Sequence, residues 1–188
     1  LSALIIYNYL KGLNKGVTLV DPTQIITCTN EFGFGQVVME VSKEKATKYL
    51  AHLKQINICP GFIAKTLDGD FTTLGRGGSD YTAALFANFY KASALEIWSD
   101  VSGLMTADPR LVTAARVIPH LSYEDALELS HFGARVIYPP TIQPALEQNI
   151  PITIKNTFKH TDVGTKITSS WEDKSAIKGI SSIDEICL

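Results

Sequence analysis

Between residues 68 and 100 the chain passes from a tight turn through a short strand-like run and a glycine loop into an apolar segment, then into a strand-like run that ends on a carboxylate. Asp68-Gly69-Asp70 marks the turn, residues 72–80 read TTLGRGGSD, the helix is expected from Ser79 to about Lys91, and residues 94–100 read ALEIWSD. Strand, glycine loop, helix and strand in succession is the signature of a βαβ unit, whose crossover is right-handed and whose strands lie parallel. The expectation is therefore an α/β fold on a parallel sheet. Ligands of open parallel sheets bind beyond the carboxyl ends of the strands. The loop of residues 75–80 and the Ser99-Asp100 pair are both expected at such ends.

Gly75, Gly77 and Gly78 surround one guanidinium, Arg76, and Ser79 and Asp80 stand where the helix begins. Glycines let the backbone turn tightly and bring N–H groups close to a ligand, and a helix N-terminus adds partial positive charge. Arg76 offers a planar fork that suits a carboxylate or phosphate, whereas Asp80 is acceptor-only and suits an ammonium or a polarised hydroxyl. One loop offering both signs fits a zwitterion such as an amino acid. The same residues also read as an ordinary strand-to-helix turn with an N-cap. The loop lacks the Gly-Lys-Ser/Thr ending of a Walker A motif and does not read as G-x-G-x-x-G, so those motifs lend it no phosphate role.

At 188 residues the prior is one domain or a large piece of one, and 45% hydrophobic with 19% charged residues is ordinary for a globular chain. A net charge of −2 gives no electrostatic footprint for nucleic acid. Cys28, Cys59 and Cys187 are few, far apart and without a C-x-x-C pair, which suits reduced, mostly buried thiols in a cytoplasmic protein and makes a disulfide framework or a zinc site improbable. The scattered His52, His120, His131 and His160 read as surface or helix-end residues. No apolar run approaches the roughly 20 residues of a membrane span. The chain opens in mid-helix pattern with no initiator Met or signal sequence, so a truncated piece of a longer protein is expected.

Elsewhere the pattern predicts a helix over residues 1–13, short strands over 17–20 and 25–27, a helix over 44–53, and one strand within 56–66 carrying Pro60-Gly61. Ser122 with Asp125 reads as a capping box opening a helix to about Ser130, ended by Gly133. Arg135 follows, where capping the helix dipole would by itself explain a cation. A helix over 141–148 and a strand over 151–156 come next. Residues 169–175 are polar and read as a linker, and residues 176–188 resume a strand-like pattern.

Three separated motifs, LGRGGSDYTAA, IWSDVSGLMTADPR and ALELSHFGARVIYP, closely resemble the aspartokinase catalytic domain of the amino-acid kinase family, across nearly the whole of residues 62–168. Ile154-Lys-Asn-Thr157 looks most like the aspartokinase half of bifunctional aspartokinase–homoserine dehydrogenases, and Ile177-Lys-Gly-Ile180 is similar to the start of a regulatory ACT region. The resemblance implies a three-layer αβα sandwich, incomplete here, with residues 1–168 as the later part of the catalytic domain, 169–175 as linker and 176–188 as the start of the ACT-like region. It implies transfer of the γ-phosphoryl of ATP, with Mg²⁺, to the side-chain carboxylate of L-aspartate, the first step of lysine, threonine and methionine biosynthesis. It also implies a cytoplasmic enzyme, homo-oligomeric as the parent protein. By the same resemblance Arg76, Gly77, Gly78 and Ser79 contact aspartate, and Asp80 organises the active centre. Ser99, Asp100, Met105, Arg110, Arg135 and Val136 match nucleotide contacts.

The chain departs from the family pattern at Arg135, usually Lys, and at Met105, usually Tyr. Arg keeps the charge but not the compact donor geometry of Lys. The Lys-Phe-Gly-Gly-Thr-Ser stretch of the family, whose lysine serves the transferring phosphate, and its Phe-Gly-Glu stretch are absent from this sequence. A fragment lacking that lysine is expected to be inactive alone. The competing readings are another amino-acid kinase and a non-catalytic amino-acid-binding module.

Overall fold

The computed structural model describes residues 1–131, 137–170 and 177–180, and the chain divides into two compact units, Leu1–Ala83 and Ala84–Leu188. Both are mixed α/β, as the sequence predicts.

The first unit opens with α1 (Ser2–Gly12), then β1 (Val17–Leu19) and β2 (Thr27–Cys28) on either side of a single 3-10 turn, Pro22–Gln24. The Asp21 carboxylate caps that turn, accepting from the Thr23 N–H at 3.0 Å and the Thr23 hydroxyl at 2.7 Å, while Pro22 supplies the fixed φ of a first helical position. This turn displaces the second strand from the expected residues 25–27. Next come α2 (Met39–Tyr49), β3 (Ile56–Ile58), β4 (Ile63–Thr66) and β5 (Phe71–Thr73). β3 pairs parallel with β1, while β4 lies between β2, parallel, and β5, antiparallel. The single strand expected within residues 56–66 is thus two strands in separate sheets. Pro60 has no N–H to donate, and at Gly61 a Cβ would lie 2.7 Å from the Ser79 Cα, so the chain breaks where the backbone must pass closely. Val20, Ile25, Ile26, Cys28 and Ala64 are buried, whereas none of α1 is, although its apolar spacing forms the helix as expected.

α3 (Gly78–Phe89) carries the chain across the boundary between the units. The second unit then adds β6 (Leu95–Ser99), β7 (His120–Ser122), α4 (Tyr123–His131), α5 (Pro139–Leu146), β8 (Ile152–Asn156) and β9 (Thr165–Thr168). Its sheet has the order β6-β8-β9-β7, with β6–β8 and β7–β9 parallel and β8–β9 antiparallel. Leu95, Ile97, Ile152, Ile154 and Ile167 alternate toward one face and pack with Ala84 and Ala87 of α3, Ala126 of α4 and Ile142 and Ala145 of α5. The capping box forms as read: the Asp125 N–H donates to Ser122 Oγ at 3.1 Å, and Ser122 N and Oγ donate to Asp125 Oδ2 at 3.3 and 2.6 Å. Gly133 lies outside the described residues.

The βαβ reading of residues 71–99 is overturned. β5 pairs with β4 in the first unit and β6 with β8 in the second, so the strand before the glycine loop and the strand after α3 belong to different sheets. The cause is the turn at residues 68–70, where Gly69 takes φ +93° and the Thr66 N–H donates to the Asp70 carbonyl at 2.8 Å, folding β5 back onto β4 as a hairpin. Only Ser99-Asp100 follows a strand with a parallel neighbour. The glycine loop follows an antiparallel one, so that part of the strand-end expectation fails. Among the described residues no helix is long and apolar enough to cross a membrane. Cys28 and Cys59 are free, and burial pushes their thiols up to about 11 and about 12, which suits inert thiols; Cys187 lies outside the described residues.

Candidate functional site

Steric fit shapes the glycine loop. Gly75 and Gly77 take φ of +73° and +70°, a region in which a side chain strains the backbone. A Cβ on Gly75 would lie 2.7 Å from the Phe34 ring, and one on Gly78 would lie 2.8 Å from the Phe62 ring and 3.0 Å from Leu74 Cβ. The Gly78 N–H donates to the Gly75 carbonyl at 3.1 Å, and α3 begins at once.

Two residues that sequence reading passed over clasp this start. Phe62, at φ +81°, accepts from the Leu74 N–H at 2.9 Å and donates its own N–H to Thr82 Oγ1 at 3.0 Å. The buried Thr82 hydroxyl donates onward to the Gly78 carbonyl at 2.7 Å. A non-glycine residue in the left-handed region is the signature of such a clasp, but its φ is invisible in a sequence.

Arg76 and Ser79 are exposed, and among the described residues Arg76 makes no ion pair. Asp80 lies half-buried in the first turn of α3, and burial raises its carboxyl above the usual carboxylate range. The loop thus presents one cation and one partly desolvated carboxylate on one turn, a pairing that suits a zwitterion.

In the second unit Ser99 and Asp100 end β6 beside the end of its parallel neighbour β8. The buried Asn156, also missed by sequence reading, ties these ends together. Its Nδ2 donates to the Asp100 carbonyl at 3.2 Å and to Ser102 Oγ at 3.1 Å, and its Oδ1 accepts from the N–H groups of Phe158 and Lys159 at 2.9 and 3.2 Å. Every polar group of that amide is used. Ser99 Oγ accepts from the Val101 N–H at 3.3 Å, and the Asp100 side chain stays exposed.

Residues 104–118 form a hairpin with Met105 opposite Val117. The Thr106 N–H donates to the Arg116 carbonyl at 2.9 Å, the Arg116 N–H to Thr106 Oγ1 at 3.0 Å, and the Ile118 N–H to the Leu104 carbonyl at 2.8 Å. Its base is fixed by the buried Thr165, whose hydroxyl accepts from the Leu104 N–H at 2.9 Å and donates to the Ile118 carbonyl at 2.7 Å. At the tip Arg110 folds back on Asp108. Its Nη2 lies 2.6 Å from Asp108 Oδ2, and its Nε is 3.1 Å from each carboxylate oxygen. Hydrogen bonds from the Arg110 side chain and backbone hold the Asp108 carboxyl below the usual range. Met105 is half-buried in the hairpin, and Arg135 and Val136 lie outside the described residues.

The structure therefore gathers Arg76, Gly77, Gly78, Ser79 and Asp80 on one loop, and Ser99, Asp100, Met105 and Arg110 on two neighbouring segments of the second unit. Among the described residues no cluster of three or more His, Cys, Asp or Glu is arranged to hold a metal ion.

Residues 1–156 match the model of the amino acid kinase family, and the chain belongs to that family. Over 191 residues it is 37% identical to the bifunctional aspartokinase/homoserine dehydrogenase of Buchnera aphidicola, covering all of this chain but 23% of that protein. Over 182 residues it is 32% identical to lysine-sensitive aspartokinase 3 of Escherichia coli, covering 96% of this chain and 40% of the relative. Among solved structures, E. coli aspartokinase III in complex with aspartate and ADP superposes with a TM-score of 0.86 at 34% identity, over 92% of this chain and 39% of that one. The chain thus spans a quarter to two fifths of the length of these relatives.

Proposed function

We propose that this chain is part of an aspartate kinase, which transfers the γ-phosphoryl group of ATP to the side-chain carboxylate of L-aspartate. The bond from the γ-phosphorus to the bridging oxygen breaks, a carboxylate oxygen of aspartate takes that phosphorus, and ADP leaves with 4-phospho-L-aspartate as the product. The observation that carries this reading is the glycine loop. It presents a half-buried carboxylate and a guanidinium that makes no ion pair among the described residues on one turn, in a chain similar throughout its length to aspartokinases.

Arg76, with the backbone of Gly77 and Gly78 and the Ser79 hydroxyl, binds the aspartate, and Asp80 takes its ammonium. A carboxylate whose proton affinity is raised by burial gains most from a cation brought beside it. Ser99, Asp100, Met105 and Arg110, with Arg135 and Val136, hold the nucleotide. Phosphoryl transfer demands positioning and neutralisation of spreading negative charge rather than a covalent partner, so a guanidinium and a helix start are suitable tools. Mg²⁺ would be carried by the nucleotide phosphates, where it would help neutralise the negative charge that spreads during transfer. We further infer that the enzyme works in the cytoplasm as a homo-oligomer, in lysine, threonine and methionine biosynthesis.

Calorimetric titration tests both halves. MgADP should bind the wild-type chain and lose affinity in Arg110→Ala, whereas L-aspartate affinity should fall in Arg76→Ala. Aspartate binding indifferent to Arg76, with no nucleotide binding at all, would leave an amino-acid-binding module as the better reading.

A further inference from the structure

We infer that residues 177–180 form a strap that positions the 104–118 hairpin, and that Lys178 is the positioning residue that anchors it. The functional part rests on the proposed nucleotide role of Met105 and Arg110. Three consecutive residues of the strap each make a different contact. Lys178 Nζ lies 2.6 Å from Asp125 Oδ2, with both side chains about three quarters buried at 22% and 24% exposure. A Cβ on Gly179 would lie 3.1 Å from the Leu129 side chain and 3.5 Å from both the Ile118 side chain and the Thr106 carbonyl, so this residue lies flat against α4 and the hairpin. The Ile180 N–H donates to the Thr106 carbonyl at 2.8 Å.

The anchor is shared. Asp125 Oδ2 also accepts from Ser122 Oγ at 2.6 Å, so one carboxylate both caps α4 and holds the strap. A carboxylate in the first turn of a helix is favoured by the helix dipole, and the ion pair is sheltered enough to be screened less than a surface pair. Thr106 is the receiving end. It pairs across the hairpin with Arg116, stands next to Met105, and is two residues from the Asp108 that clamps Arg110. Thr165 fixes the base of the hairpin independently of the strap. Losing the strap therefore loosens the flank and tip while the base stays in place.

Residue-resolved hydrogen exchange on the full chain tests this, with Lys178→Met, which keeps the aliphatic stem, and Ile180→Pro, which keeps the ion pair but removes the N–H. Both variants should speed exchange at the Thr106 and Arg116 amides several-fold while leaving those of Leu104 and Ile118 unchanged, and Lys178→Arg should restore most of the protection. MgADP affinity should fall several-fold in Lys178→Met and in Asp125→Asn, with no further loss in the double variant. Unchanged exchange at Thr106 and Arg116 in both strap variants, or acceleration spread evenly over the second unit in both, overturns the strap. If the wild-type chain fails to bind MgADP, the nucleotide reading fails, and the exchange contrast still decides the strap.

Discussion

In the glycine loop the backbone is fixed by steric fit and the Arg76 guanidinium is left open, whereas in the 104–118 hairpin the backbone is fixed by polar contacts and the Arg110 guanidinium is already paired with Asp108. Gly75 and Gly78 sit against rings that a Cβ would strike, while Arg76 is exposed without an ion pair among the described residues. The hairpin is held at its base by Thr165, at its flank by Ile180 and at its tip by Asp108. A ligand of the loop needs only to arrive. A phosphate at the hairpin must compete with Asp108 for the Arg110 guanidinium, which exchanges one charge-assisted pair for another and lowers the net gain. The two segments thus differ in what a substitution should disturb: shape in one, a polar network in the other.

The largest effect is expected at the hairpin base. Gly103 has φ +136°, and a Cβ there would lie 2.4 Å from Thr165 Oγ1 and 3.0 Å from its backbone nitrogen. Gly103→Ala therefore combines strain with a clash against a buried hydroxyl and main chain, and should cost about 3 kcal/mol in urea unfolding. Asn156→Ala comes next. It removes a buried amide that uses all its polar groups and unties the ends of β6 and β8, and about 2 kcal/mol should be lost. Gly75→Ala should cost only about 1 kcal/mol, because the Phe34 ring it strikes is 68% exposed and can turn aside. A loss at Gly75 as large as that at Gly103 would break the distinction between a loop that can adjust and a base that cannot.

The same contrast explains what could be read from the sequence. Helices α3 and α4 and strands β6 and β8 were legible because their apolar period and caps are local, and the Ser122–Asp125 capping box forms with the partners its spacing implies. The order of the sheets was not. Which strand β6 joins depends on residues more than 50 positions later, and the turn at Gly69 had already committed β5 to its neighbour β4. Within the site, charge-bearing residues stood out by type, while Thr82, Asn156 and Thr165 did not. Their function is to satisfy backbone groups from distant segments, and nothing in a lone Thr or Asn announces that.

The smallest expected effects are the most discriminating, because Asp80 and Asp108 are shifted in opposite directions. Burial raises the Asp80 carboxyl, so the folded state binds its proton more tightly than the unfolded chain does. Its contribution to stability is present in acid and is lost as pH rises through the raised folded value. Asp80→Asn, neutral at every pH, should therefore make the protein more stable than wild type near neutrality, an advantage that shrinks as the solution is acidified, even as aspartate binding is lost. Asp108 is the reverse case. Hydrogen bonds from Arg110 lower its carboxyl, so its contribution is present above the ordinary carboxylate range and lost as pH falls through the lowered folded value. Arg110→Ala should weaken that dependence, leaving the part due to the backbone N–H of residue 110, while scarcely moving the thermal midpoint, since the guanidinium is largely exposed. Carboxyl-carbon NMR titration reads both groups at once: Asp80 should titrate above an ordinary aspartate and Asp108 below it, and Arg110→Ala should move only Asp108, part of the way back toward the ordinary range. If the two carboxyls titrate together, the loop and the hairpin do not differ in how they hold charge, and a ligand would have no internal competitor to displace from Arg110.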